Sequence, residues 1–222
     1  MTEPLVLANG VTRRFRHGDG VTNAVLPASF TVRDGDRIAL IGASGSGKST
    51  LVHLMAGLDQ PSEGALCWPA LGPRTSLRPE QVGVVFQTPS LIPTLSVLEN
   101  VELPLLLAGR EAYDAALAAL GVVGLATLAD KLPDDLSGGQ AQRVAIARAL
   151  AVCPRLILAD EPTGQLDQAT AALVVDGLLA FVSSSNAALV VATHDRTIAN
   201  RMNTTWIMEH GNLHVAPAEA VA

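Results

Sequence analysis

The sequence predicts an α/β fold in which a mostly parallel sheet is joined by an antiparallel β-subdomain at the amino end and a helical insert in the middle. Three observations predict it. Short apolar runs alternate with helical patterns, β-branched residues around a turn signal fill the amino end, and a long helical segment interrupts the alternation. With 222 residues, the chain is long enough to bury a full core as one domain.

Four apolar runs are the predicted strands of the parallel sheet. They lie at residues 37–41, 82–86, 156–159 and 188–192. Each run is too uniformly apolar for a strand with one face in water, which is typical of strands that are covered on both faces.

The amino end predicts antiparallel strands. The sequence Gly18-Asp19-Gly20 is a turn signal between two β-rich stretches, residues 11–15 and 21–25. A second hairpin is predicted at the carboxyl end, where residues 204–208 and 213–215 flank another turn, and an alanine-rich tail follows it.

Residues 88–133 carry the helical pattern. Ser96 and Glu99 have the spacing of a capping box, and residues 111–120 place apolar side chains at helical intervals. Asp167 and Asp195 precede later helical patterns and are predicted N-caps.

Composition narrows the classes of function. The formal net charge is −6 and the pI is about 5.3, which argues against the broad basic surface of nonspecific nucleic-acid binding, so no nucleic-acid partner is expected. Cys67 and Cys153 have neither metal-ligand nor CxxC spacing, and we expect both to be small buried apolar residues without a disulfide.

The hydrophobic fraction of 49% and the mean hydropathy of +0.33 raise the question of a membrane span. The longest charge-free stretches, residues 81–98 and 177–193, are interrupted by prolines or polar residues and fall short of the roughly 20 apolar residues that a spanning helix needs. The amino terminus lacks a basic region followed by an apolar one. We therefore expect a cytoplasmic protein.

The sequence GASGSGKST at residues 42–50 follows the first parallel strand and opens a helix, which is the context of a phosphate-binding P-loop. Its glycines let backbone N–H groups approach phosphate oxygens, and Lys48 would bridge the β- and γ-phosphates while the Ser49 hydroxyl binds Mg²⁺. The expected phosphate-binding residues are Gly42, Ser44, Gly45, Ser46, Gly47, Lys48, Ser49 and Thr50.

Asp160 and Glu161 end a predicted strand, at the edge of a parallel sheet where ligands bind. Asp160 would hold Mg²⁺ through its water shell. Glu161 would polarise the water that attacks the γ-phosphate.

The pentapeptide LSGGQ precedes a strongly helical run at residues 141–151. Ser137, Gly138, Gly139 and Gln140 therefore form a second helix start suited to an anion. Because one active site has no evident need for two such starts, we expect a site shared across a dimer.

The order of the P-loop, Gln87, LSGGQ, the LILADE strand and His194 resembles the ABC ATPases over nearly the whole chain. Within that family the chain is most similar to the ATPases of lipoprotein-release and macrolide-export systems. The segments that carry this similarity are GLD at residues 57–59, ENVELPL at 99–105 and ADEPTG at 159–164.

The resemblance implies a P-loop NTPase core with a mostly parallel sheet and antiparallel β-subdomain at about residues 1–87 and 154–222, and a helical subdomain with the signature motif at about 88–153. It implies ATP and Mg²⁺, a homodimer or pseudo-symmetric dimer, and an integral membrane permease. ATP hydrolysis would drive export or extraction of a lipophilic or peptide-like substrate, with the ATPase on the cytoplasmic face of the membrane.

The resemblance also implies roles for single residues. Gln87 would contact Mg²⁺ or the attacking water, His194 would contact the γ-phosphate, and Phe15 would stack on adenine. Asp167 would lie at the nucleotide-bearing dimer interface, where Gln165 replaces the asparagine that is usual in the family. Because Glu161 is retained, we expect a competent hydrolase.

Three other readings remain open. An ABC ATPase acting on DNA or ribosomes would normally carry coiled-coil, zinc or second-cassette insertions, and a GTPase or kinase would leave LSGGQ unexplained. An ATP-dependent regulator that gates a membrane partner without transport is the main alternative. Leu91, Ile92, Leu95 and Leu98 could be either the permease contact or subdomain core.

Overall fold

The computed structural model describes residues 2–18 and 20–217. The strands are β1 Val6–His17, β2 Gly20–Val32, β3 Arg37–Ile41, β4 Glu63–Cys67, β5 Val82–Val85, β6 Leu156–Asp160, β7 Ala188–Thr193, β8 Thr204–Glu209 and β9 Asn212–Pro217. The helices are α1 Lys48–Met55, α2 Val97–Leu107, α3 Tyr113–Val122, α4 Gly138–Leu150, α5 Gln168–Ser185 and α6 Arg196–Ala199. The fold is α/β with a mostly parallel sheet, as predicted.

The described residues fall into two compact units. One comprises the chain up to Leu77 together with the chain from Ala188 onward, and the other is Arg78–Ala187. The predicted division into a core and a helical subdomain at about residues 88–153 stays a prediction.

The first unit contains the predicted antiparallel strands in the order β2-β1-β4. Strands β1 and β2 pair over most of their length, with Phe15 opposite Thr22, and their register shifts near Arg13. The predicted turn residue Asp19 lies outside the described residues. The prediction of antiparallel pairing at the amino end is confirmed.

The same unit holds the parallel strands β7, β3 and β8 side by side. The side chains of β7 are all buried, in keeping with its uniformly apolar sequence. Strand β9 pairs antiparallel with β8, which confirms the carboxyl-terminal hairpin. Most of the predicted alanine-rich tail, from residue 218, lies outside the described residues.

The second unit contains the parallel pair β5 and β6 and the helices α2 to α5. The capping box of Ser96 and Glu99 begins α2, as predicted. Asp167 caps α5, and in the first unit Asp195 caps α6, which confirms both predicted N-caps.

The prediction that both cysteines are buried is wrong, because both are exposed and free. Cys67 lies in β4, an edge strand of the antiparallel sheet, where an outward side chain meets solvent. Cys153 has a positive φ of 54° in the turn after α4, and there its side chain is exposed although its neighbours in sequence are apolar.

Helix α5 is long and apolar enough to cross a membrane by length and composition alone, with a mean hydropathy of 1.3. A helix packed in the core of a soluble protein passes the same test, so one such helix is weak evidence for a span.

Candidate functional site

The P-loop connects β3 to α1. Gly47 is the N-cap of α1 with a φ of 109°, a conformation that favours glycine. A Cβ at Gly47 would collide with the carbonyl oxygen of Ala24, and one at Gly42 would collide with that of Met208. The loop therefore lies against the backbone of two neighbouring strands, which fixes the course of its N–H groups.

Lys48 begins α1 and is only 7% exposed. Its Nζ donates hydrogen bonds to the carbonyl oxygens of Gly42, at 2.8 Å, and Ala43, at 3.1 Å, and so lies across the loop. The Ser46 Oγ is buried without a hydrogen-bond partner among the described residues, and the space beside Gly45 is open. A phosphate would supply acceptors for such groups.

His194 follows β7 and lines a cavity of about 310 Å³ with Gly42 of the P-loop. The structure thus brings these two predicted site residues together at the carboxyl end of the parallel strands. The cavity is also lined by Arg196 and Glu209.

Phe15 lies in β1 and is half-buried. The guanidinium carbon of Arg13 lies 4.5 Å from the centroid of the Phe15 ring, and the Arg13 Nε donates to the Asp59 carboxylate at 2.7 Å. Phe15 was predicted to stack on adenine and Asp59 was noted only as part of the GLD segment, whereas the contacts that join them through Arg13 were not predicted.

In the second unit, Asp160 is the last residue of β6 and Gln87 follows β5 by two residues. The pairing of Val85 with Ala159 sets the carboxyl ends of both strands side by side. Asp160 is 4% exposed, and its Oδ1 has no hydrogen-bond partner among the described residues. Glu161 has a φ of 47°, a strained conformation that is often found at functional sites.

The signature motif starts α4. The Ser137 Oγ accepts from the Gln140 N–H at 3.2 Å, and the Gln140 Oε1 accepts from the Ser137 N–H at 2.8 Å. This capping box uses the side chain of Gln140 within the motif itself. The amides of Gly138 and Gly139 lie between the two bonded residues.

The loop after Glu161 packs against the signature glycines. A Cβ on Gly138 would be 3.4 Å from the Gln165 Oε1, and one on Gly139 would be 3.1 Å from the Leu166 side chain. Asp167 accepts from the Thr170 hydroxyl at 2.6 Å and from its N–H at 3.0 Å, and these bonds lower the pKa of Asp167.

Two side chains of α4 that were not predicted from the sequence hold the loop around Gln87. Gln142 donates to the Phe86 carbonyl oxygen at 3.0 Å, and Arg148 donates to the carbonyl oxygens of Pro89 and Ser90 at 2.9 and 3.0 Å. Burial lowers the pKa of Arg148. A polar residue on the buried stripe of an amphipathic helix was the signal that could have found them.

The family model described as "ABC transporter" matches residues 25–164, which is more than half of the chain. The chain belongs to the ABC transporter family. It is 41% identical to the lipoprotein-releasing system ATP-binding protein LolD of Legionella pneumophila (strain Lens), over 96% of this chain and 99% of that protein. It is 45% identical to the protein of the same name from Gluconobacter oxydans (strain 621H), over 92% and 93%.

Two solved structures of the bacterial ABC cassette MJ0796 are 34% identical to this ABC ATPase, with a TM-score of 0.90 over 97% of this chain and 100% of theirs. Both are dimeric, and one is a post-hydrolysis state with ADP and Pi. The chain is an ATP-binding and ATP-hydrolysing subunit of the ABC type.

Proposed function

We propose that this ABC ATPase works as a dimer that closes around two ATP molecules and drives a separate membrane permease, in release or export of a lipophilic or peptide-like substrate. The start of α4 is the observation that carries the proposal. It gives the chain a second glycine-rich helix start, in addition to the start of α1 at the P-loop.

A shared site accounts for the second helix start. N–H groups at a helix start attract anions, and α1 already supplies one such start for the phosphates of a nucleotide. Gly138 is exposed, so a second copy of the chain can present its own nucleotide there. The dimeric state of the MJ0796 cassette supports this arrangement.

Each predicted site residue has a role in the proposed reaction. Lys48 and the P-loop amides hold the phosphates, Glu161 polarises the attacking water, and His194 contacts the γ-phosphate. Gln87 orients the water or the metal, and Phe15 stacks on adenine. Ser137, Gly138, Gly139 and Gln140 contact the nucleotide held by the partner copy, with Asp167 at the same interface.

The residues present suit Mg²⁺. The buried Asp160 Oδ1 has no hydrogen-bond partner among the described residues, and a carboxylate oxygen is a ligand that Mg²⁺ prefers. Ser49, Gln87 and Asp160 would hold the ion together with phosphate oxygens, and the bound ion would offset the charge of the phosphates.

The loop before α2 is the proposed permease contact. Asn100 is fully buried, and its side chain donates to the carbonyl oxygens of Ile92, Leu95 and Ser96. This fixes a loop on which Ile92 is 37% exposed while Leu91 and Leu95 are half-buried. Binding there would place the ATPase on the cytoplasmic face of the membrane, and the similarity to LolD favours a lipoprotein-releasing permease.

The variant Glu161→Gln tests both the proposed general base and the proposed ATP-bound dimer. It should lower ATP turnover by about 10²–10⁴-fold, the range for removal of a general base, and should accumulate an ATP-bound dimer in size-exclusion chromatography. Glu111→Gln removes an exposed acid outside the site and is the matched control, with parental turnover. Turnover at the parental rate in Glu161→Gln would refute the general-base role.

Co-purification tests the permease part. The chain should be recovered from membranes with an integral membrane protein, and an Ile92→Asp variant should be recovered without it while keeping its own ATP binding. Unchanged membrane association and unchanged coupled hydrolysis in Ile92→Asp would remove this loop from the contact.

A further inference from the structure

We propose that Arg13 is a positioning residue for the nucleotide base, because it holds the ring of Phe15 in the orientation that stacks on adenine. The proposal rests on the stacking role that the proposed function gives to Phe15. It adds a positioning pair, Arg13 with Asp59, behind the predicted nucleotide-binding residues.

Arg13 is held on two sides. Its guanidinium carbon lies 4.5 Å from the centroid of the Phe15 ring, within the range of a cation–π contact, and its Nε donates to the Asp59 Oδ2 at 2.7 Å. The side chains of Arg13 and Asp59 are only 25% and 26% exposed. A partly desolvated guanidinium with two partners has few alternative rotamers.

Asp59 connects this contact to the phosphate-binding helix. The N–H of Asp59 donates to the carbonyl oxygen of His53, in the last turn of α1, and α1 begins at Lys48 of the P-loop. The strand that pairs with β1 reaches the same loop, since Ala24 of β2 has its carbonyl oxygen against Gly47. Arg13 therefore ties the base-stacking ring to the element that binds the phosphates.

The ion pair of the next residue, Arg14, is a useful comparison for that of Arg13 because Arg14 has no aromatic contact among the described residues. Arg14 forms two hydrogen bonds with Glu63, at 2.9 and 3.1 Å, but its side chain is 46% exposed. An exposed ion pair of this kind contributes little to the free energy of folding. Arg13 instead combines its ion pair with the aromatic contact.

The physical effect is preorganisation. Phe15 has no hydroxyl through which its ring could be fixed by a hydrogen bond, so its orientation depends on packing. A guanidinium on one face of the ring limits its rotation before nucleotide binds, which reduces the ordering cost of stacking a base. The effect should appear only with ligands that carry a base.

The experiment compares Arg13→Ala with Arg14→Ala in calorimetric titrations with a non-hydrolysable ATP analogue and with inorganic triphosphate. Arg13→Ala should weaken binding of the ATP analogue about two- to fivefold, the range of one exposed cation–π contact, and should leave triphosphate binding unchanged. Arg14→Ala should bind both ligands like the parent. Equal weakening for both ligands in Arg13→Ala would reduce the effect to general charge attraction and overturn the proposal.

A double-mutant cycle identifies the route of the effect. In a Phe15→Ala background, Arg13→Ala should cause no further loss of affinity for the ATP analogue. The same loss in both backgrounds would overturn the proposal while leaving Phe15 as the base contact. If Phe15→Ala itself binds the analogue like the parent, the stacking role and the proposal fail together.

Asp59→Asn guards against a folding defect in Arg13→Ala. It keeps the cation but weakens its anchor, and it should give part of the loss in analogue affinity while a thermal unfolding transition shows that the variant is folded at the temperature of the titration. Analogue affinity at the parental level in both Asp59→Asn and Arg13→Ala would overturn the proposal.

Discussion

Helices α1 and α4 both have glycine at their starts, but a side chain caps only α4. At α1 the N-cap is Gly47, and no side chain caps the helix. At α4 the N-cap is Ser137, and it exchanges two hydrogen bonds with Gln140 in a capping box. One start is built from backbone alone, whereas the other is completed by its own side chains.

The difference separates a glycine that the conformation of the chain requires from one that only the proposed dimer requires. Gly47 needs a positive φ and lies against the Ala24 carbonyl, so the conformation of the P-loop requires it. The φ of Gly138 is not positive. A Cβ on Gly138 would lie 3.4 Å from the Gln165 Oε1, an ordinary van der Waals contact. In the proposed dimer, the lack of a side chain at Gly138 would let the partner's nucleotide approach closely.

The largest expected effect comes from replacing the glycine at each helix start by alanine. Gly47→Ala should destabilise the protein by about 1–3 kcal/mol and abolish ATP binding, because the new Cβ collides with backbone and the φ is strained. Gly138→Ala should stay within about 0.5 kcal/mol of the parent in stability and should bind ATP normally. Its hydrolysis should nevertheless fall at least tenfold, because the partner's nucleotide can no longer approach.

Urea unfolding, ATP titration and steady-state turnover separate the two variants. Gly121→Ala is the matched control and should retain full turnover, because its added Cβ would meet no atom within 4 Å beyond its chain neighbours and the backbone of its own helix. Parental turnover in Gly138→Ala would show that the start of α4 does not meet a nucleotide.

The next effect concerns how α4 is held along its length. Arg148→Ala should lower the free energy of unfolding by about 2–3 kcal/mol, because two carbonyl oxygens lose a charged donor and the packed stem is removed. Chemical denaturation measures this difference. Arg110→Ala removes an arginine with one such bond, to the Val152 carbonyl oxygen, and should lower the free energy of unfolding by less. An equal or larger decrease in Arg110→Ala would contradict the prediction.

Much of this fold follows from sequence patterns, for reasons that the two helix starts illustrate. Glycine spacing, uniformly apolar strands and capping residues act over a few neighbouring positions, so the P-loop, β3 and the caps of α2 and α5 are predictable. Contacts between positions far apart in the chain produce no pattern of this kind in the sequence. The bonds from Arg148 to Pro89 and Ser90 and from Arg13 to Asp59 depend on tertiary packing.

The cysteines also show that local sequence does not predict burial that depends on tertiary structure. Cys67 has apolar neighbours in sequence, but strand order decides its burial, and β4 lies at an edge. Strand order depends on pairings across the whole first unit, and local composition does not encode it.

A smaller effect compares one hydroxyl in each helix start. Ser137→Ala should cost about 1 kcal/mol of stability, the usual value of a lost N-cap. Ser46→Ala should cost nothing or be slightly stabilising, because its buried Oγ has no hydrogen-bond partner to lose among the described residues. Thermal unfolding without nucleotide measures both, and a larger cost for Ser46→Ala than for Ser137→Ala would reverse the contrast between the two starts.

The smallest expected effect concerns the cap of α5, which follows the loop packed on the signature glycines. The hydroxyl and N–H of Thr170 lower the pKa of Asp167 below its ordinary value of 3.8, so the cap contributes stability above that value and loses it as pH falls through the lowered pKa. Thr170→Val removes the hydroxyl donor, and the pKa of Asp167 should therefore rise toward its ordinary value in an NMR titration of the carboxyl carbon. Thr197→Val should raise the pKa of Asp195 by the same mechanism and leave that of Asp167 unchanged. An unchanged Asp167 pKa in Thr170→Val would mean that the N–H groups at the start of α5, rather than the hydroxyl, hold the carboxylate, as the Gln140 N–H holds the Ser137 hydroxyl at the start of α4.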